Sequence, residues 1–382
     1  MLPAPPKSFY PVCEPLLAGN ELKYVTQAVS EGWISSAGSF VEEFQKKFAA
    51  YCGVPHGIAV TNGTVAIHLA LQALGIGKGD EVIIPSFTMI ASAFAVCYVG
   101  ATPVVVDCDE STWNIAPELI EAAVSERTRA IMAVHIMGLP CDMEPIEKIA
   151  AKHKISVIED AAEAHGALYK GKSVGSFGKA ATFSFFANKN LTTGEGGMVT
   201  TADADIASKC LYYKNLCFPL ESAREYIHRD IGFNYRMSNL HAAIGVAQLE
   251  KADEYRNLRR NNASLYRSFL EKIPGIEFQA TPQDALHVHW MVAIVVQPES
   301  LGVDRNTLMI SLKKRGIDSR KLFVGMHQQP SLIKYGMRTS GEYRNTEKLS
   351  ANGLYLPSAS SLSAEDIEWI CGQIADIHQR KE

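Results

Sequence analysis

The amino-acid sequence predicts an α/β protein: a mixed, mostly parallel sheet flanked by helices, with a smaller C-terminal α/β domain. Two observations carry this. The first is a set of apolar strands without polar alternation, EVIIP (81–85), TPVVVD (102–107), RAIMAVH (129–135) and KISVIED (154–160), separated by helical patterns; strands of that kind belong to sheets covered on both faces. The second is length: 382 residues exceed one ordinary core of about 100–200 residues. The expected division is an N-terminal arm over 1–20, a large domain over 21–245 and a small domain over 246–382.

The elements follow in order. The proline-rich first 20 residues read as an arm. The pattern turns helical at Leu22, and Phe44, Phe48 and Tyr51 share one side of a helix over 40–51. A short strand at 57–60 leads to TNGT (61–64), which opens a helix through Ala66, Leu69, Ala70 and Leu74. GIGKGD is a turn, EVIIP a strand, TMIASAFAVCYV (88–99) a helix and TPVVVD a strand. RAIMAVH, EPIEKIAAKH (144–153) and KISVIED repeat strand, helix, strand. After Gly197 comes the strand MVTT, then a polar stretch around 214–230. Residues 239–270 are strongly helical, long enough to bridge two domains. HWMVAIVV (289–296) reads as a strand, and RNTLMISLKKRG (305–316) and AEDIEWICGQIADIH (364–378) as helices.

Composition excludes several classes. Lys plus Arg is 37 against 41 for Asp plus Glu, a net charge of −4, whereas nucleic-acid binders carry a basic excess. The most apolar stretch, 82–106, is interrupted by Pro85, Ser86, Ser92, Gly100, Thr102 and Pro103, so no membrane span is expected. The first residues lack a basic segment followed by an apolar one, the pattern of a signal peptide. The eight cysteines show neither CxxC nor zinc spacing, which fits a reducing cytoplasm. His135, His165 and His241 lie far apart without an HExxH pattern, so no metal site is expected.

Three segments carry chemistry. FSFFANKNLTTGEGGMVT (183–200) places Lys189 in a run with almost no other charge, ahead of a glycine turn. Apolar walls disfavour an ammonium and lower its pKa, as an amine nucleophile requires; a surface lysine in a glycine-rich turn also fits this segment. KISVIEDAAEAHGA (154–167) ends a strand with Glu159 and Asp160. Ligands of open α/β sheets bind beyond such strand ends, and a carboxylate there suits a pyridinium nitrogen; an acidic helix cap is the alternative. Thr61, Asn62, Gly63 and Thr64 open a helix, which offers N–H groups to a phosphate or only a simple cap. The chain order of cradle, strand-end acid and lysine describes a site for pyridoxal 5′-phosphate (PLP).

The chain resembles the DegT/DnrJ/EryC1/StrS family of PLP-dependent sugar aminotransferases. The resemblance spans nearly the whole sequence, through GWISSAG, TNGTVAIHLAL, GDEVIIPSFT, GATPVVVD, IEDAAEAHGA, FSFFANKNLTTGEGGM, GFNYRMSNLHAAIGVAQLE and LPSASSLSAEDI. WISS, HIMGLPCDME and LTTGEGGM resemble the perosamine-synthase-like branch, which aminates C4 of a nucleotide-linked 4-keto-6-deoxy sugar. The resemblance implies the fold-type I aminotransferase architecture and a homodimer with shared active sites. It implies PLP as cofactor, with pyridoxamine 5′-phosphate as its intermediate form, L-glutamate as amino donor and a nucleotide sugar as acceptor.

Roles carry over residue by residue. Lys189 matches the lysine that binds PLP covalently and shuttles the proton. Asp160 matches the partner of the pyridine nitrogen, and Glu163 a position near the ring hydroxyl. Gly63 and Thr64 match the phosphate-cradle amides and Ser184 a phosphate-contacting hydroxyl. Asn234 matches an asparagine that reaches the phosphate from the neighbouring subunit. Met89 stands where the family has an aromatic residue over the ring; a thioether also packs on a π-face, and Phe87 is a possible substitute. His327 matches a substrate-side residue, and Trp33, Ser35 and His289 are further candidates for the sugar-nucleotide pocket. Arg224, His228 or Arg229 is expected to bind the diphosphate. Sugar 3-dehydratases of this fold carry histidine at the position of Lys189, and non-catalytic relatives tend to lose the lysine or the acid; this chain keeps both. The nucleotide, GDP, dTDP or UDP, stays open.

Overall fold

The computed structural model describes residues 6–220 and 226–381. Eight strands form the main sheet in the order β1 (His56–Val60), β9 (Gly197–Thr201), β8 (Ala180–Ser184), β5 (Ser156–Asp160), β4 (Thr128–Val134), β2 (Glu81–Pro85), β3 (Thr102–Val106) and β14 (Arg338–Thr339). β9 is antiparallel to both neighbours, and the other pairings are parallel. The cause is the loop that joins β8 to β9. It folds back on itself, with Phe185 N–H bonded to Gly196 O and Thr193 N–H to Phe185 O, and contains no helix of the kind a parallel crossover uses. A four-stranded antiparallel sheet follows in the order β10 (Ile276–Phe278), β12 (Val292–Val296), β15 (Gly353–Leu356) and β13 (Arg320–Lys321). β6 (Leu168–Tyr169), β7 (Lys172–Ser173) and β11 (Ala285–Leu286) form a small third sheet.

The helical stretch 239–270 is two helices, Asn239–Glu250 and Ala252–Leu270, that meet at Lys251 (φ −110°, ψ 9°). The first packs on α1 (Glu21–Ser30) and α2 (Ser39–Cys52), the second on the C-terminal helix Ala364–Arg380. The break therefore falls where the packing partner changes. The helices Pro117–Ala123 and Ala204–Lys214 are additions to the sequence-based reading. The N-terminal arm is anchored: Tyr10 is fully buried, donates its hydroxyl to Asp366 (3.1 Å) and stacks on Trp369. Among the described residues, no helix is long and apolar enough to cross a membrane, and the cysteines are free thiols.

Phe40, Phe44 and Phe48 recur at helical spacing along the buried face of α2. The rings of Phe44 and Phe48 meet Phe185, and Phe48 also meets Phe183, at 4.8–5.0 Å, which roots the helix on the strand and loop that lead to Lys189. Gly245 lets the helix Asn239–Glu250 approach this stack: a Cβ there would lie 2.7–2.9 Å from ring carbons of Phe44. Glycine to alanine in an exposed helix interior usually stabilises by about 1 kcal/mol. Here the buried ring has nowhere to move, so overpacking decides the sign, and Gly245→Ala should destabilise by roughly 1–3 kcal/mol. Urea denaturation of the variant measures it.

Candidate active site

The site lies where the parallel strands end. β1 runs into Thr61 and Asn62, then α3 (Gly63–Ala73). Asn62 caps α3 by accepting the Val65 N–H at 3.0 Å, and the N–H groups of Gly63 and Thr64 precede the helix's own bonding ladder. Gly63 is required by close approach: a Cβ there would lie 2.7 Å from the Cβ of Ser184, the last residue of β8.

Asp160 ends β5 and is almost wholly buried. Its Oδ2 accepts from Ser92 Oγ at 2.7 Å and its Oδ1 from the Ala162 N–H at 3.2 Å. Burial raises its pKa, and the Ser92 hydrogen bond opposes that rise. Ser92 belongs to α4 (Ile90–Tyr98) and also meets Thr88 Oγ1 at 2.9 Å. Glu159 points to the opposite side of the strand. It meets His135 Nε2 at 3.2 Å and accepts the N–H groups of Gly175, Phe177 and Gly178. His135 Nδ1 accepts the Cys141 N–H, so Nε2 is the nitrogen that donates to Glu159.

Lys189 comes from the loop between β8 and β9, with its side chain only 11 % exposed. Nζ lies 3.8 Å from Glu163 Oε1 and 3.8 Å from the centroid of the Trp290 ring. Burial lowers its pKa, while Glu163 and Asp160 favour the charged form. Burial pushes Glu163 up to about 7, against the attraction of Lys189. Its other oxygen, Oε2, accepts the Met137 N–H at 2.7 Å. Burial thus works against both charged forms, and their mutual attraction opposes it.

A second network flanks α4. Ser86 Oγ is 2.7 Å from His327 Nδ1, His327 Nε2 is 3.3 Å from Glu347 Oε1, and the imidazole stacks on Tyr343. Both ring nitrogens of His327 are therefore engaged by the protein. Met89, 47 % exposed, is the N-cap of α4, and its sulfur accepts the Ala91 N–H at 3.1 Å. Phe87 is not a substitute for it: its ring is fully buried against Phe323.

The other candidates come from other segments of the chain, and the one that bears Asn234 bonds to the start of the cradle, Tyr235 O accepting the Thr61 N–H at 3.0 Å. Trp33 and Ser35 sit in a loop pinned by Asn239, whose Nδ2 donates to Trp33 O and whose N–H donates to Ser35 O; the Trp33 side chain is half exposed. Asn234 is exposed, on a segment bridged to Asn215 and, through Arg236, to Val60. His228 meets Leu216 O and the ring of Phe218, and Arg229 is exposed. Arg224 lies outside the described residues. No hydrogen bond, ion pair or ring contact joins these described residues to Lys189, Asp160 or Glu163. His289 stacks on His287, with centroids 3.6 Å apart, beside Arg267 and Gln279. Its neighbour Trp290 faces Lys189 instead. Sequence reasoning missed Trp290 and Ser92; HVHW held the first, and the spacing from Met89 the second. Among the described residues, no three His, Cys, Asp or Glu side chains converge as metal ligands.

A parallel-stranded sheet that gathers a buried lysine, a buried acid and a helix N-terminus at its strand ends defines an enzyme of the aminotransferase class. The chain belongs to the DegT/DnrJ/EryC1/StrS aminotransferase family, whose model matches residues 15–375. It is 45% identical to the GDP-perosamine synthase of Caulobacter vibrioides over 369 residues, 96% of this chain and 97% of that one. It is 42% identical to the GDP-perosamine synthase of Escherichia coli O157:H7, covering 98% of this chain and all of the other. The solved structure of DesV from S. venezuelae superposes with a TM-score of 0.90 at 32% identity, covering 98% of this chain and 100% of that one.

The Glu163 carboxyl has a testable consequence. Its folded pKa lies above the carboxylate's ordinary value of 4.5. It therefore contributes stability that is complete below about pH 4.5 and lost as pH rises through about 7. Glu163→Gln should flatten this part of the pH–stability curve, by up to about 3 kcal/mol across the window. Denaturant titrations of the cofactor-free protein between pH 4.5 and 8 measure it.

Proposed function

We propose that this chain is a PLP-dependent sugar-nucleotide aminotransferase that places an amine at C4 of a GDP-linked 4-keto-6-deoxy sugar, with L-glutamate as donor. The observation that carries the reading is the buried Lys189 amine, 3.8 Å from Glu163, on the strand-end side that also holds Asp160. Support for the sugar comes from similarity to two GDP-perosamine synthases over almost full length. The product is a building block for a surface glycan.

The residues present fit PLP. The absence of a side chain at Gly63 leaves a backbone cradle against Ser184, where the N–H groups of Gly63 and Thr64 would hold the phosphate. Asp160 is a buried carboxylate with one oxygen tied to Ser92, suited to a protonated ring nitrogen. Met89 would cover the ring, Glu163 would lie beside its hydroxyl, and Lys189 would bind it covalently. When bound, PLP supplies an electron sink for the carbanion at the amino-acid Cα.

The chain's own residues do the rest. Lys189 holds and moves the proton of the donor Cα as general acid and base, its amine made available by burial. Asp160 would keep positive charge on the ring nitrogen. The C-terminal part, 246–382, brings Trp290 to Lys189 and His327 to Ser86, so we assign it the role of closing the site. Asn234 matches an asparagine that reaches the phosphate from the neighbouring subunit in this family, which favours a homodimer in which it and Trp33, Ser35, His228 and Arg229 would serve the partner's site. The exposed side chains of Trp33, Ile34, Leu220, Tyr226, Ile227 and Ile231 supply apolar surface for that interface.

The test is an amination assay with glutamate against GDP-, dTDP- and UDP-linked 4-keto-6-deoxy sugars. Product from the GDP sugar is expected. Product only from a dTDP or UDP sugar reassigns the nucleotide, and product from none overturns the reading. Lys189→Ala should abolish turnover and the visible absorbance band of the holoenzyme.

A further inference from the structure

Lys189 is held between two walls built from distant parts of the chain, and a single residue supports both of them. Met137 donates its N–H to Glu163 Oε2 at 2.7 Å, and its carbonyl accepts the Trp290 N–H at 2.9 Å. Met137 has a φ of +56°, a region that costs a non-glycine residue about 1–2 kcal/mol. That strain directs the donor to one wall and the acceptor to the other. Gly138 beside it has no room for a side chain: a Cβ would lie 2.8 Å from Glu163 O and 3.1 Å from Trp290 N.

Trp290 is fixed at two further points. Its indole N–H donates to Asn188 O at 3.0 Å, the carbonyl of the residue just before Lys189. Its own carbonyl accepts from Arg259 Nη1 at 3.0 Å. The ring thus cannot turn away, and its face lies 3.8 Å from Nζ. An ammonium is attracted to the negative face of an indole, most strongly where water is excluded.

We infer that Trp290 is a positioning residue for the transamination: its π-face holds the free Lys189 amine toward Glu163 and favours its protonated form. The inference rests on the aminotransferase reading above. It adds to that reading a residue that counters desolvation. The neutral amine takes up the Cα proton, burial makes the resulting ammonium costly, and the ring face offsets part of that cost until the proton is returned. The other groups facing the amine are Glu163 and Asp160 from the end of β5, Cys13 from the arm and His165 beyond Glu163. Tyr355 on β15 lies near Glu163, and Arg259 lies behind the Trp290 peptide.

The test replaces Trp290 with mono-, di- and tetrafluorotryptophan in the full-length, cofactor-free protein. Fluorine weakens the face potential while leaving the ring's shape and the surrounding charges nearly unchanged. Trinitrobenzenesulfonate labels neutral amines, and mass spectrometry of the peptide bearing residue 189 gives its rate against pH. A stepwise fall in the Lys189 pKa is expected, reaching about one unit in Trp290→Leu, which is roughly a tenfold faster labelling below the pKa. A flat series, or a change confined to Trp290→Leu, would assign Trp290 to packing alone and overturn the inference. Protection of position 189 by added PLP is scored separately. Its loss would count against the cofactor reading and leave the fluorination series interpretable.

Discussion

Everything near the strand ends answers to one constraint: a primary amine has been taken out of water. A buried ammonium is costly unless charge or a polarisable face compensates it. Glu163 provides the charge, Trp290 the face, and Asp160 lies further along the same strand end. The two carboxyls come from the end of β5, and the indole comes from the C-terminal part of the chain. Met137 ties the two nearest together through its N–H and its carbonyl, so the lysine has one place to lie.

The sheet provides the frame for this. Parallel strands bring their carboxyl ends to one edge, so Asn62, Ser86, His135, Asp160 and Ser184 gather there from five strands. β9 runs the other way because the lysine loop folds back on itself. That reversal lets a short loop carry Lys189 over the edge and return without a helix. The phenylalanine stack of α2 then anchors the same loop from below through Phe185.

Much of the fold was legible in the residues. The strand EVIIP is fully buried and SVIED almost so, as a sheet covered on both faces requires. The break at Lys251 was not legible, because both halves of 239–270 have good helical patterns and only the change of packing partner separates them. The two-residue strands were equally hidden, since two residues show no period.

For the site, the sequence determined the chemistry: a lysine in an uncharged run, an acid at a strand end, and a glycine at a helix start. These signals are local, and a short stretch of chain expresses them. The tertiary structure decided which side chains face the amine. His289 takes a positive φ of 47° just before the strand, and the neighbouring side chains part there, His289 toward His287 and Trp290 toward Lys189. His327 likewise has both nitrogens committed to Ser86 and Glu347, residues 241 and 20 positions away in the chain. Contacts over such separations depend on how the sheets pack, and no local pattern encodes them.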